Sequence, residues 1–372
     1  MGAPRVKRLR IRGTYYPRVL HPGAWWLWAL GLAAAATRTT NPVPLVLIIA
    51  VTWFVVTARR GDTPWASSYG LFFRLALIVI AIHVFFQALL SSQAQGLAVL
   101  FTLPEIPLPD STGIKLGGAV TLEAVLTAVY YGLQLATIFC CIGAANALGS
   151  ARRLLRYVPG ALYEIGIACV IALTFAPQLA ADAARVRSAG RLRGSRRGLR
   201  AFGRLAMPIL EGSLERSVDL AAAMDSRGYG RTTGESAAAR RTTAALVLIG
   251  AFGLMVGVYG LLTAHSFGTP LLLAGAALGV AGLWLGGRRT GRTRYRPDPW
   301  ALPEVLVAGS GVLVAAAMFW TADHSPALLT LASPTDVPPV PVLACVGILA
   351  GLLPAVLAPP YPVSSAAFEV AA

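Results

Sequence analysis

Long apolar runs, most of them close to the length of a membrane helix, alternate along this chain with polar segments, one of which is long. About 20 consecutive apolar residues cross the hydrocarbon core of a bilayer, so the pattern predicts transmembrane helices rather than barrel strands. The predicted spans cover residues 24–36, 43–58, 71–90, 118–149, 243–263, 270–286, 304–322 and 341–358. The expected fold class is an all-α polytopic membrane protein of about eight transmembrane helices.

The composition supports this class, because 56% of the 372 residues are hydrophobic and only 13% are charged. A soluble protein carries about 25% charged residues. The net charge of +16 does not indicate nucleic-acid binding, since the basic residues follow the membrane topology. They lie in the N-terminal segment and after the second, fourth and sixth spans, whereas the loops at 91–117 and 323–340 are acidic. By the positive-inside rule both termini are cytosolic, and the expected location is the plasma (inner) membrane.

The N-terminus also has a second interpretation. Arginines, then an apolar run from Trp25 to Ala36, resemble a secretory signal peptide. The next apolar run begins six residues later, at Pro42, with no soluble domain between them. A retained first span is therefore favoured.

Residues 160–180 form another apolar stretch, which is long enough to span. If it crossed the membrane, the arginine-rich segment from Arg185 to Arg204 would be exported, against the positive-inside rule. We interpret it as a helix in or under the inner interface, or buried against another protein.

The long polar segment at 151–242 contains 16 arginines, seven acidic residues and no lysine. Two helices are predicted in it, one from Pro177 to Arg193 and one from Met207 and Pro208 to Arg227. Aliphatic or small residues recur at helical spacing on one face of each. These faces comprise Leu179, Ala183, Val186 and Gly190 in the first helix, and Leu210, Leu214, Val218, Ala221 and Ala222 in the second.

Each predicted helix ends in Arg-Gly, as Arg193-Gly194 and Arg227-Gly228. Glycine is the usual cap residue after a helix, and arginine is stabilised at the negative end of the helix dipole. Such helices suit insertion into grooves on a partner protein. On physical grounds alone, basic amphipathic helices that rest on anionic lipid are an equal alternative.

The sequence gives little indication of a metal site, a disulfide, a nucleotide site or a catalytic site. The four cysteines and four histidines show no metal-ligand or disulfide spacing, and we predict no metal site. The chain has no Gly-x-x-x-x-Gly-Lys-Ser/Thr phosphate loop, so we do not expect it to hydrolyse ATP. No catalytic constellation stands out.

Residues 177–230 resemble the coupling region of the transmembrane T component of energy-coupling factor (ECF) transporters, the CbiQ-like family. That family carries two cytosolic helices, each ending in an Ala-Arg-Gly-like triplet. Here the counterparts are Leu192-Arg193-Gly194 and Ser226-Arg227-Gly228. The resemblance extends over about residues 20–263, and neither triplet is strictly Ala-Arg-Gly.

The resemblance implies a scaffold that joins a substrate-binding S component to two cytosolic ABC-type ATPases, for uptake of a vitamin or of cobalt or nickel ions. The chain would bind no cofactor itself, because ATP and Mg²⁺ would lie on the ATPases. The residues implied in ATPase coupling are Arg191, Leu192, Arg193, Gly194, Ser226, Arg227 and Gly228. The segments would be four N-terminal spans (1–150), coupling helices (151–242), a closing span (243–263) and additional C-terminal spans (264–372).

Two other functions stay open at this point. A polytopic membrane enzyme acting on lipid-linked phosphates would also use basic cytosolic loops, although no Asp-x-x-Asp cluster accompanies them here. The second open function is a scaffold that lies at the lipid surface and takes no part in transport. ATPase subunits that co-purify with the chain would distinguish the importer from both.

Overall fold

The computed structural model describes residues 20–59, 68–89, 98–106, 116–149, 151–157, 162–192, 199–229, 237–263, 265–289, 300–331 and 333–359. These residues confirm the all-α membrane fold, with seven helices long and apolar enough to span a bilayer. The helices are α1 (Pro22–Ala36), α2 (Pro42–Arg59), α3 (Ser68–Leu89), α4 (Leu122–Leu148), α5 (Ala151–Leu154), α6 (Tyr163–Leu192), α7 (Leu199–Ser226), α8 (Ala237–Leu262), α9 (Gly268–Arg289), α10 (Leu302–His324), α11 (Val342–Leu349) and α12 (Leu353–Leu357). The strands are β1 (Val99–Ile106) and β2 (Leu116–Thr121).

The antiparallel hairpin of β1 and β2 was not predicted from the sequence. It moves the start of the fourth span from 118 to Leu122, so the predicted boundary is wrong. Gly117 and Gly118 have φ values of 91° and 110°, which only glycine adopts without strain. Thr121 then caps α4, because its hydroxyl accepts a hydrogen bond from the amide of Ala124 at 3.3 Å.

The set of helices that are long enough to cross a bilayer differs from the set of predicted spans at three places. Helix α1 has 15 residues and is about 22 Å long, shorter than a hydrocarbon core of about 30 Å. The predicted span 341–358 is divided into α11, a 3₁₀ turn and α12. Helix α6 does qualify by length and composition alone, over Ile165–Gly190.

By their internal contacts the residues form two units, one of 1–151 with 298–372 and one of 152–297. By packing, α10–α12 therefore belong with α1–α4, whereas α9 belongs with α8 in the other unit. The division of the chain by role, made from the sequence, stays a prediction.

The core of the first unit is formed where α1 packs against α10 and α4, and where α2 packs against α4. Trp28, Leu32 and Ile48 are fully buried there. Gly31 and Gly311 allow the backbones of α1 and α10 to touch, since a Cβ on Gly311 would lie 2.5 Å from the Cα of Trp28. The indole of Trp28 donates a 3.1 Å hydrogen bond to the carbonyl of Gly351.

Polar side chains fix both ends of α2. At its start, the amide of the buried Asn41 donates to the carbonyls of Leu328 and Pro339, at 2.9 and 2.7 Å. At its end, the guanidinium of Arg59 donates to the carbonyl of Ala355 at 2.8 Å, close to the end of α12. The start of α2 therefore lies near the end of α10 and the start of α11, and its end lies near the end of α12. The membrane topology, with its cytosolic side, stays a prediction.

In the second unit, α8 and α9 pack along a seam of glycines. A Cβ on Gly250 would lie 2.5 Å from the amide of Gly279, and a Cβ on Gly257 would lie 2.5 Å from that of Leu272. Small residues of this kind let helices approach closely in lipid. Helices α6 and α7 also contact each other in this unit and carry the predicted functional residues.

Candidate functional site

Helix α6 is one continuous helix of 30 residues, from Tyr163 to Leu192. The prediction that a helix starts at Pro177 is wrong, because this proline lies in its interior. A proline lacks the amide that would bond the carbonyl four residues earlier, at a cost of about 3 kcal/mol. The residues on both sides of Pro177 favour a helix, so the helix continues past the proline. The apolar segment 160–180 and the first predicted functional helix are thus parts of one element.

Helix α7 likewise begins earlier than predicted, at Leu199 rather than near Met207. Pro208 lies inside it, so its preference for a first helical turn did not identify the start. The end of this helix agrees with the prediction.

The C-terminus of α7 is a Schellman cap. Gly228 has a φ of 74°. Its amide bonds to the carbonyl of Asp225 at 2.9 Å, and the amide of Tyr229 bonds to the carbonyl of Met224 at 3.0 Å. These are the two hydrogen bonds that define the motif, with glycine at the left-handed position. Arg227, the residue before this glycine, is exposed. The cap therefore ends the helix immediately beyond a solvent-accessible arginine.

One face of α7 is an exposed apolar row that leads to this end. Met207, Leu214 and Val218 are 70%, 67% and 68% exposed. The α7 row comprises Met207, Leu210, Leu214, Val218 and Ala221, all of them exposed. Its neighbour Ala222 and the last helical residue, Ser226, are exposed as well. An exposed, continuous aliphatic face of this kind is unfavourable in water, and it fits an apolar groove or a lipid surface.

The predicted face of α6 differs from the α7 row. Leu179, Ala183, Val186 and Gly190 are each half-buried. At the end of the helix Leu192 is 90% exposed. Arg191 is the penultimate residue of α6, whereas Arg193 and Gly194 lie outside the described residues.

The structure adds a polar contact between α6 and α7 that the sequence did not identify. The carboxylate of Asp182 accepts a hydrogen bond from Arg216 of α7 at 3.2 Å, and it also pairs with Arg185 on its own helix. The side-chain oxygen of Gln178 accepts from the same nitrogen of Arg216 at 3.4 Å.

A signal for this contact was present in the sequence. Asp182 lies between Leu179 and Val186 on the predicted face of α6, and it is one of seven acidic residues among 16 arginines. An acidic residue on an apolar face of a basic segment indicates a local partner. The sequence did not identify this partner, because that requires knowing which side of α7 faces α6. The half-buried residues of α7 include Ile209, Arg216 and Leu220.

Comparison with known proteins places this geometry in a family. The family model described as "CbiQ: Cobalt transport protein" matches residues 14–237, which is well over half of the chain. The match runs from before α1 to the first residue of α8, so it includes α6, α7 and the capped end at Arg227. A comparison with curated proteins gives no match. This chain, a multi-pass membrane protein, therefore belongs to the CbiQ family of cobalt transport proteins, whose members are transport components and not enzymes.

Proposed function

We propose that this chain is the transmembrane coupling (T) subunit of an ECF-type importer. Two ABC-type ATPases bind the ends of α6 and α7, and the chain transmits their movement to a substrate-binding S component. The cargo is a transition-metal ion such as cobalt, or a vitamin. The observation that carries the proposal is the end of α7, where a Schellman cap follows an exposed arginine on a helix that also carries an exposed apolar row.

This end has the two properties that a docking helix needs. The α7 row supplies apolar area, and fully burying one leucine or valine side chain contributes about 1.5–3 kcal/mol. Arg227 supplies a planar cation that forms bidentate pairs with a carboxylate of the partner. Truncating one member of such a buried pair costs roughly 2–5 kcal/mol. Arg193-Gly194 would serve the second ATPase in the same way.

A lipid surface would also accept an apolar row, but it would not require arginine at this one position, since lysine and arginine are equivalent there. A protein groove that presents a carboxylate would require arginine, and this requirement distinguishes it from a lipid surface. The proposal therefore predicts that Arg227→Lys weakens the interaction, whereas a purely lipid-bound helix would be indifferent to it.

The decisive experiment is co-purification of ABC-type ATPases encoded beside this gene. The wild-type chain should retain two ATPase subunits, and the variant with both Arg193→Ala and Arg227→Ala should lose them and cobalt uptake, while still inserting into the membrane. Arg241→Ala is the matched control, because it removes an exposed arginine near the start of α8. ATPase retention by the double variant would refute the proposal, and equal loss in the control would show a nonspecific effect of charge.

A further inference from the structure

The one ion pair described between α6 and α7, within the part of the chain that the structure covers, lies at a distinctive position. Asp182 is 10 residues before the last residue of α6, and Arg216 is 10 residues before the last residue of α7. At 1.5 Å per residue, each helix end lies about 15 Å beyond the pair. The contact is therefore equally far from the two ends that the proposed function uses.

The segments between the pair and the two ends are suited to transmit orientation. Pro177 and Pro208 both lie on the N-terminal side of the paired residues, so no proline interrupts α6 after Asp182 or α7 after Arg216. Sharp helix kinks occur mainly at prolines and at inserted turns. A rotation of about 20° at the pair would displace an end 15 Å away by about 5 Å, whereas a functional contact tolerates errors of only about 10–20° and 0.5 Å.

The surroundings of Asp182 favour a positioning role over a simple surface ion pair. Its side chain is 17% exposed, and that of Arg216 is 37% exposed. Arg185, on the same helix, is 76% exposed and holds the carboxylate from the other side. Because this carboxylate is largely shielded from water and held by two arginines, its pair is screened less than an exposed one, and we expect it to favour one arrangement of the helices.

From this geometry we infer that Asp182 is a positioning residue, whose pair with Arg216 fixes the crossing of α6 and α7 and thereby the spacing of their two arginine-bearing ends. This inference rests on the proposed function. It adds that the two docking ends act as one preset, bivalent unit for a pair of ATPases that bind each other, so that the second contact forms with the advantage of a fixed geometry.

The first test measures the spacing directly. Spin labels at positions 188 and 226, in a chain whose four cysteines are replaced, report the distance between the two helices. Asp182→Asn and Arg216→Gln should each broaden the distance distribution, and the exchange of Asp182→Arg with Arg216→Asp should narrow it again. Asp219→Asn, an exposed acid on α7, is the control. An unchanged distribution in Asp182→Asn, or no rescue by the exchange, would overturn the inference.

The second test uses the purified complex. Asp182→Asn should lower the affinity for the ATPases about tenfold with Arg227 intact, and the charge exchange should restore it. If Arg216→Gln weakens ATPase binding while Asp182→Asn does not, Arg216 contacts the partner itself and the inference fails. If even the wild-type chain binds no ATPase, the proposed function fails, and the distance measurement still decides the role of Asp182.

Discussion

Replacing Gly228 by alanine tests whether the capped end of α7 is a functional feature. An alanine at a φ of 74° places its Cβ against the neighbouring carbonyl, at a cost of roughly 1–2 kcal/mol. Because 1–2 kcal/mol changes an equilibrium roughly 5- to 30-fold, the capped end should open more often by that factor. The two cap amides, of residues 228 and 229, should lose protection from hydrogen exchange to the same extent.

The same variant should also weaken ATPase binding, by at most that factor, because only the molecules whose docking end is formed can bind. Gly203→Ala is the matched control. Gly203 lies in the same helix and is exposed, and a Cβ added to it would meet no other atom within 4 Å. Alanine there should stabilise α7 by about 1 kcal/mol and leave binding unchanged. Normal exchange and binding in Gly228→Ala would refute the reasoning, as would an equal loss in both variants.

Three further results are expected. Gly311→Ala should destabilise the first unit by about 1–3 kcal/mol, as overpacking does. Gly309→Ala should not, because a Cβ there meets open space. Equal melting temperatures of the two variants would contradict this. Asn41→Ala strands the carbonyls of Leu328 and Pro339, so thermal unfolding should show a loss of about 1–3 kcal/mol. The pair of Asp182 with Arg216 requires an ionised carboxylate, and an aspartate of ordinary acidity is ionised above about pH 5. The spin-label distance should therefore be constant from about pH 5 to 8.

The sequence predicted those features whose causes are local. The cap at Gly228 depends on one residue's backbone freedom, and the positions of the apolar helices depend on composition. The starts of α6 and α7 were mispredicted, because Pro177 and Pro208 have only a local preference that the surrounding helix overrides. The hairpin before α4 was missed because its pairing depends on backbone hydrogen bonds and on two glycines rather than on an alternating apolar pattern.

The remaining features depend on residues that are distant in the chain. The sequence suggested that the last helices were additions, whereas Gly311 touches α1 and the carbonyl of Gly351 accepts the hydrogen bond of Trp28. The contact of Asp182 with Arg216 spans 34 residues and needs the relative rotation of two helices. Neither can be read from spacing along a single element.

The bond from Trp28 to Gly351 has a consequence for biogenesis, because its partners are 323 residues apart. At roughly 5–20 residues per second, Trp28 is synthesised about 16–65 s before its partner Gly351. During that interval the glycine face of α1 has no counterpart, and the nascent chain depends on the insertion machinery or a chaperone to shield it. Premature stop codons before α10 would thus yield an N-terminal bundle that membrane proteases can recognise.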